Sequence, residues 1–271
     1  MHRLSSPRAA RERPARGTPG AVAIIPARLQ STRLPEKPLL DLGGSPLVVR
    51  VLERARLAAS VRDTWVATDD EKIAAAVRAA GGQAVMTRAD HPAGLDRVAE
   101  AARLLEANAP SPDPDPILVN LQGDEPFASV AGLDHLVRLF EHPDVKMATL
   151  AAPFPRGESP DDPNRVKVVI DGEGRALYFS RSRIPFGGGE PGASPILLHI
   201  GIYAYRRSTL LELAGIPPSL LERSERLEQL RALWNGIPIH VAVGDYDSLG
   251  IDTPEDLERA RKRWAEGGID R

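Results

Sequence analysis

The sequence predicts an α/β protein with a mixed, mostly parallel sheet flanked by helices. Three observations lead there. First, short apolar runs such as Ala21–Ile25, TWVAT at 64–68 and ILVNL at 117–121 stop at turn residues. Runs of that length and β-branched content read as strands buried on both faces. Second, segments with apolar residues at helical spacing alternate with these strands, and such alternation builds right-handed crossovers and a parallel sheet. Third, strand-like runs follow one another from Met147 with little helix between them, which predicts antiparallel pairs over about 147–205. With 271 residues the chain can bury a full core. Neither an internal repeat nor a dividing linker interrupts it, so 21–266 reads as a single domain.

In chain order, Ala21–Ile25 is the first strand, and a loop carrying Arg28, Arg33 and Lys37 follows Pro26. Gly43–Pro46 is a turn with Pro46 in the first turn of a helix over Pro46–Ala59. After the strand Thr64–Thr68, Asp69 and Asp70 can cap a helix whose apolar face is Ile73, Ala76, Val77 and Ala80. Gly81 and Gly82 stop it. Gln83–Met86 is a third strand, and the loop Thr87–Asp96 leads into a helix carrying Val98, Ala101, Ala102, Leu104 and Leu105. After a proline- and acid-rich loop over 108–116, the strand Ile117–Leu121 ends at Gln122-Gly123-Asp124, and a helix spans Val130–Phe140. Strands are predicted at Met147–Ala152, Val166–Ile170, Ala176–Phe179 and Leu197–Tyr205, with a DGEG turn at 171–174. Helical segments follow near Thr209–Leu213 and at Glu222–Trp234, where Leu227, Leu230 and Trp234 form an inward stripe. Ile237–Val243 is the last strand. Thr253 and Pro254 suit the N-cap and first position of the last helix.

Composition excludes several function classes. The formal net charge is −2, so no basic field recommends nucleic acid as a partner. The chain has no cysteine, which excludes disulfides, thiolate metal sites and a cysteine nucleophile, and suits a reducing compartment. No stretch approaches the roughly 20 apolar residues of a membrane span. Residues 1–20 are rich in Arg and Pro without an apolar segment. They read as a disordered extension rather than a secretory signal.

Three loops carry the chemistry. Three cations on a loop leaving a buried strand suit a polyphosphate, although the loop also reads as an ordinary solvated basic segment. It is not a Walker loop, because the glycines and the Lys-Ser/Thr pair are absent. Asp124 directly follows a buried strand, at the carboxyl end where open α/β sheets place their ligand crevice. There it can hold Mg²⁺, or it can simply cap the next helix. Asp252 precedes a helix, where it can hold the same ion or satisfy the helix dipole. Two acids facing a basic loop have the composition of a metal–nucleotide site.

The segments PARLQSTRLPEKPL, VNLQGDEP and GIDTPED, in this order and spacing, resemble the 3-deoxy-manno-octulosonate (Kdo) cytidylyltransferase family. The likeness continues through VATDD, MTRADH, MATLAAPF, VKVVID, ALYFSR, HIGIYAY, LEQLRALW and IHVAV, and covers nearly all of Ala21–Trp264. It implies a Rossmann-like, GT-A-like nucleotidyltransferase fold that activates Kdo with CTP, giving CMP-Kdo and pyrophosphate for lipopolysaccharide synthesis. It also implies a cytoplasmic homodimer that uses Mg²⁺. By resemblance, Arg28, Arg33 and Lys37 line the triphosphate site, and Asp124 and Asp252 bind the metal. The loop with Ala93, Gly94 and Arg97 faces the base, together with Gln122. Gln122, Arg181, His199, Tyr203, Glu228 and Gln229 match positions associated with the sugar acid. On the residues alone, His199 and Tyr203 could be a core pair sharing one face of a strand, and Glu228 and Gln229 plain surface. Arg181 offers the bidentate donor that a carboxylate substrate calls for.

Four positions depart from the family pattern. Glu36 replaces a glycine in LPGKP, and its charge predicts a side chain turned to solvent. Ala93 and Leu95 replace hydroxyl residues in the base loop, and Leu198 stands where an arginine often precedes the site histidine. The departures at Ala93, Leu95 and Leu198 keep open a cytidylyltransferase for a related sugar acid (a sialic acid or amino-Kdo). A second alternative is a catalytically silent nucleotide-binding protein of the same fold, against which the intact Lys37, Asp124 and Asp252 argue.

Overall fold

The apolar run at the start of the body forms strand β1, Ala21–Ala27. Its residues alternate between two cores: Ala23 and Ile25 pack on one face of the sheet, Ile24 on the other. The structure, a computed structural model, describes residues 20–30, 34–108, 113–190, 193–246 and 249–267. The predicted extension at 1–20, apart from Gly20, and Arg33 lie outside the described residues.

Helix α1 (Leu47–Ala55), strand β2 (Val61–Thr68), helix α2 (Glu71–Ala79), strand β3 (Gln83–Met86) and helix α3 (Gly94–Asn108) follow. Next come β4 (Ile117–Asn120), α4 (Val130–Arg138), β5 (Met147–Pro153), β6 (Lys167–Ile170), β7 (Ala176–Ser180) and β8 (Leu197–Arg206). The chain closes with α5 (Arg207–Gly215), α6 (Leu220–Glu225), α7 (Leu230–Trp234), β9 (Ile239–Val243) and α8 (Pro254–Ala265). Strand order along the sheet is β3-β2-β1-β4-β8-β5-β9. Pairing is parallel from β3 to β4 and again between β5 and β9, and antiparallel where β8 enters. The antiparallel region predicted after Met147 is therefore present: β6 and β7 form a hairpin that pairs with the start of β8. Its turn reaches β9, where the Val241 N–H donates to the Gly174 carbonyl.

Helices cover both faces, as buried parallel strands require. Val48, Val51 and Leu52 of α1, Ile73 and Val77 of α2, and Leu133 and Leu136 of α4 fill one side. Val98 and Ala101 of α3, Leu210 and Leu213 of α5, and Leu230 of α7 fill the other. Asp70 caps α2 by accepting from the Lys72 N–H, and Thr253 forms a capping box with Asp256 ahead of Pro254, as their spacing predicts.

Two helix readings need correction. Helix α1 spans Leu47–Ala55, and Pro46 is its N-cap in an extended conformation rather than part of its first turn. The helix expected over Glu222–Trp234 is broken into α6 and α7, with Arg226 left-handed at φ 54°. The Arg181 guanidinium draws out the carbonyls there: Nε donates to Glu225 O at 2.8 Å and Nη2 to Arg226 O at 3.4 Å. The expected stripe breaks with the helix. Leu227 and Leu230 are buried, but Trp234 is half exposed.

Candidate active site

Strands β1 and β4 are adjacent and parallel, while the connection from β1 first runs outward to β2 and β3. The sheet therefore has its topological switch point between β1 and β4, where open α/β sheets place their ligand crevice. A cleft of about 310 Å³ opens there. It is lined by Arg28 and Gln30 after β1, by Lys37, by Gln122, Gly123 and Asp124 after β4, by His91–Gly94 and Arg97 around the start of α3, and by Asp252 before α8. Gly123 is required by a close approach, since a Cβ would sit 2.8 Å from the Pro26 carbonyl oxygen. The turn after β4 can lie against β1 only without a side chain at this position.

Lys37 joins the two predicted acids. Its Nζ donates to Asp124 Oδ2 at 2.6 Å and to Asp252 Oδ1 at 3.0 Å. Burial alone would lower the lysine's pKa, but the two carboxylates outweigh it and raise it, so the ammonium stays charged. Neither acid serves only as a cap. Ser129 caps α4, and Thr253 with Asp256 caps α8. Two carboxylates from separate loops thus converge on one point, a donor set that suits a hard divalent cation completed by phosphate oxygens. Among the described residues no group of three or more His, Cys, Asp or Glu forms a fuller cage. Glu36 sits just before Lys37 at φ 51°, the left-handed region where glycine is unstrained. Its side chain turns outward to Lys72, 3.1 Å away, as its charge predicts.

The loop between β3 and α3 forms the opposite wall. Arg97 is buried and donates through Nη1 to Thr87 Oγ1 at 2.7 Å, with Asp69 3.4 Å from its Nη2. Ala93 and Gly94 line the cleft with Arg97, whereas Leu95 turns the other way into the core. Of the two side chains that replace hydroxyls, only Ala93 therefore faces the cleft.

The other predicted group lies behind the first turn of α3. Tyr203, Glu228 and Gln229 line a second, much smaller cavity together with Leu95 and Arg231. The surface reading of Glu228 and Gln229 is overturned: Gln229 is 6 % exposed, and Glu228 accepts from the Leu95 N–H. Burial, with Asp96 and Glu222 nearby, pushes the Glu228 carboxyl up to about 7, against the pull of Arg231. Folding therefore favours its neutral form. The stability tied to it is complete below the ordinary 4.5 and is lost as pH rises through about 7. Glu228→Gln is expected to gain on the parent by about 3 kcal/mol between pH 4.5 and 7.5, measured by urea unfolding at both pH values.

His199 and Tyr203 do share a face, with ring centroids 5.5 Å apart. Burial drives the His199 pKa down to about 3, so its ring is neutral at pH 7. Thr149 Oγ1 donates to the Ile202 carbonyl at 2.8 Å, and His199 Nε2 lies 3.0 Å from the same hydroxyl. Arg181 lines neither cavity. Besides the two carbonyls of the α6–α7 break, its Nη1 donates to Pro163 O at 2.9 Å. Sequence reasoning left Gln30 and Gly123 out of the site. Gly123 adjoins Gln122 and Asp124, Gln30 shares the loop of Arg28, and only the cleft's geometry distinguishes them.

A basic loop and two convergent carboxylates at the switch point of a mostly parallel sheet define a nucleotidyltransferase. The chain belongs to the cytidylyltransferase family, whose model, described as Cytidylyltransferase, matches residues 22–239. It is 49 % identical over 239 residues to the 3-deoxy-manno-octulosonate cytidylyltransferase of Syntrophobacter fumaroxidans, covering 88 % of this chain and 94 % of that protein. The solved structure of a CMP:2-keto-3-deoxy-manno-octonic acid synthetase complexed with CTP matches with a TM-score of 0.83 and 42 % identity, over 92 % of this chain and 99 % of the other. A cytidylyltransferase from Leptospira borgpetersenii serovar Hardjo-bovis shares the fold, with a TM-score of 0.59 at 20 % identity over 91 % of this chain and 87 % of the other.

Proposed function

We propose that this enzyme transfers CMP from CTP to Kdo, releasing pyrophosphate, and so supplies an activated sugar for lipopolysaccharide synthesis. The observation that carries this reading is the meeting of Lys37, Asp124 and Asp252 at the cleft, in a chain 49 % identical to a Kdo cytidylyltransferase. The anomeric hydroxyl attacks the α-phosphorus. The bond from that phosphorus to the bridging oxygen breaks, pyrophosphate leaves, and the hydroxyl proton is released. Transfers of this kind depend on positioning and charge neutralisation rather than on a protein nucleophile.

Asp124 and Asp252 are assigned to Mg²⁺, which when bound neutralises phosphate charge and acidifies a nearby hydroxyl. Arg28, Arg33 and Lys37 neutralise the triphosphate and the departing pyrophosphate. Ala93, Gly94, Arg97 and Gln122 hold the nucleotide on the far wall. The sugar acid is assigned to the side of Gln122, with Tyr203, His199, Glu228 and Gln229 behind the start of α3. Arg181 serves this group by fixing the α6–α7 break that positions Glu228 and Gln229. We further infer a single catalytic domain over 21–266 that works as a cytoplasmic homodimer. CTP is a cytoplasmic metabolite, the family resemblance supports the dimer, and no described helix is long and apolar enough to cross a membrane.

The test is a pyrophosphate-release screen of CTP, UTP, ATP and GTP with Kdo, a sialic acid and amino-Kdo. Backbone groups offer donors and acceptors whatever the side chain at position 93. CTP is therefore expected to exceed UTP by more than tenfold in kcat/KM, with ATP and GTP inactive. A lost neutral hydrogen bond is worth about 0.5–1.5 kcal/mol, so near-equal use of CTP and UTP would show that side chains had carried the selection. Efficient use of a purine nucleotide, or release with a sialic acid but not with Kdo, contradicts the reading.

A further inference from the structure

The cleft wall formed by residues 88–93 has no secondary structure of its own, although it carries His91, Pro92 and Ala93 into the cleft. The residue just before it is fixed: the Thr87 N–H donates to Thr68 O at 2.8 Å, and Arg97 holds the Thr87 hydroxyl. Beyond Thr87 the loop is anchored from α3 by Glu100. One oxygen of Glu100, Oε2, accepts from the Arg88 backbone N–H at 2.9 Å and also bonds His91 Nε2. Arg97 and Glu100 are three apart and so lie on one face of α3, both reaching back over the segment that precedes the helix. The His91 side chain is 5 % exposed and that of Glu100 22 %, so the bond is covered on the histidine side and open to water on the glutamate side. Burial tends to raise the Glu100 pKa, but the bonds from His91 and Arg88 overcome it and lower the value, so the group is an ionised acceptor. An ionised carboxylate only accepts, and His91 therefore carries a proton on Nε2.

We infer that Glu100 is a positioning residue for the nucleotide, fixing the 88–93 loop and the orientation of His91 before the ligand arrives. Glu100 itself does not line the cleft and acts through the loop it holds. A loop ordered in advance spares the ligand the ordering cost on binding, so its loss raises the dissociation constant more than it slows the chemistry. This inference rests on the assignment of that wall to the nucleotide.

The test compares wild type with Glu100→Ala, Glu100→Gln and Glu100→Asp. CTP affinity is read by calorimetry with Mg²⁺, kcat by pyrophosphate release, and the nucleotide-free loop by the His91 imidazole ¹⁵N signals and Arg88 amide exchange. Glu100→Ala is expected to weaken CTP binding about tenfold or more, with kcat at saturation within about threefold of wild type. Glu100→Gln keeps one acceptor oxygen and should recover part of the affinity, whereas Glu100→Asp is too short and should not. Without nucleotide, wild type should show a protonated Nε2 and a slowly exchanging Arg88 amide, and both should be lost in Glu100→Ala. CTP affinity within twofold of wild type in Glu100→Ala, or an equal loss in kcat and binding, overturns the inference. If Glu100→Ala fails to fold, the Glu100→Gln affinity and the wild-type spectra decide it. If wild type binds no CTP, the nucleotide assignment fails, and unaltered His91 and Arg88 signals in the variants then overturn the positioning role separately.

Discussion

Asp124→Asn and Asp252→Asn are each expected to lower turnover about a hundredfold or more at saturating Mg²⁺, the scale of losing one transition-state electrostatic contact. Both carboxylates bond Lys37, so each change also removes one of the two charges that hold the ammonium in the cleft. The fold should survive. Asp124 meets the segment before α8 through its backbone carbonyl, which accepts from the Ile251 N–H at 3.0 Å and does not depend on the side chain. Steady-state pyrophosphate release with thermal unfolding as the control measures this. Near-wild-type turnover in either variant removes that acid from the mechanism.

Arg231→Ala is expected to destabilise the protein by about 3–5 kcal/mol, because it strands a buried carboxylate. Arg231 and Glu222 form a two-bond pair, at 2.9 Å from Nε and 2.6 Å from Nη2. Their side chains are only 6 % and 12 % exposed. Nη1 also reaches the carbonyls of Leu213 and Ile216 at the end of α5. This arginine therefore ties α5, α6 and α7 together behind the cavity that holds Glu228. The melting temperature should fall by about 10 °C. Replacing both partners by apolar residues of similar volume should cost much less, since no charge is left unpaired. A loss below about 1 kcal/mol in Arg231→Ala, measured by urea unfolding, contradicts the role assigned to the pair.

The cleft was legible in the sequence because its parts are local. Asp124 lies in the turn after β4 and Lys37 in the loop that leaves β1, and strand ends can be read from short apolar runs. Thr253-Pro254 marks the start of α8, which places Asp252 at a helix entrance. The second cavity was not legible in that way. Glu228 and Gln229 interrupt no apolar stripe, and they follow a helix break at Arg226 whose Glu225 carbonyl accepts from Arg181, a residue distant in sequence. Leu95 shows the same limit. A helix's first turn presents Gly94 and Arg97 to the cleft and Leu95 to the core, and an offset of one residue separates these faces. Glu36 was legible as an outward charge, but its left-handed backbone shows only in the structure.

The most direct test of the central claim is to identify the product formed from CTP, Kdo and Mg²⁺ by mass spectrometry and ³¹P NMR. The expected result is one new phosphodiester joining CMP to the anomeric oxygen of Kdo, formed in equal amount with pyrophosphate and absent when the sugar is omitted. Pyrophosphate and free CMP without a sugar phosphodiester, or no consumption of CTP at all, would contradict it.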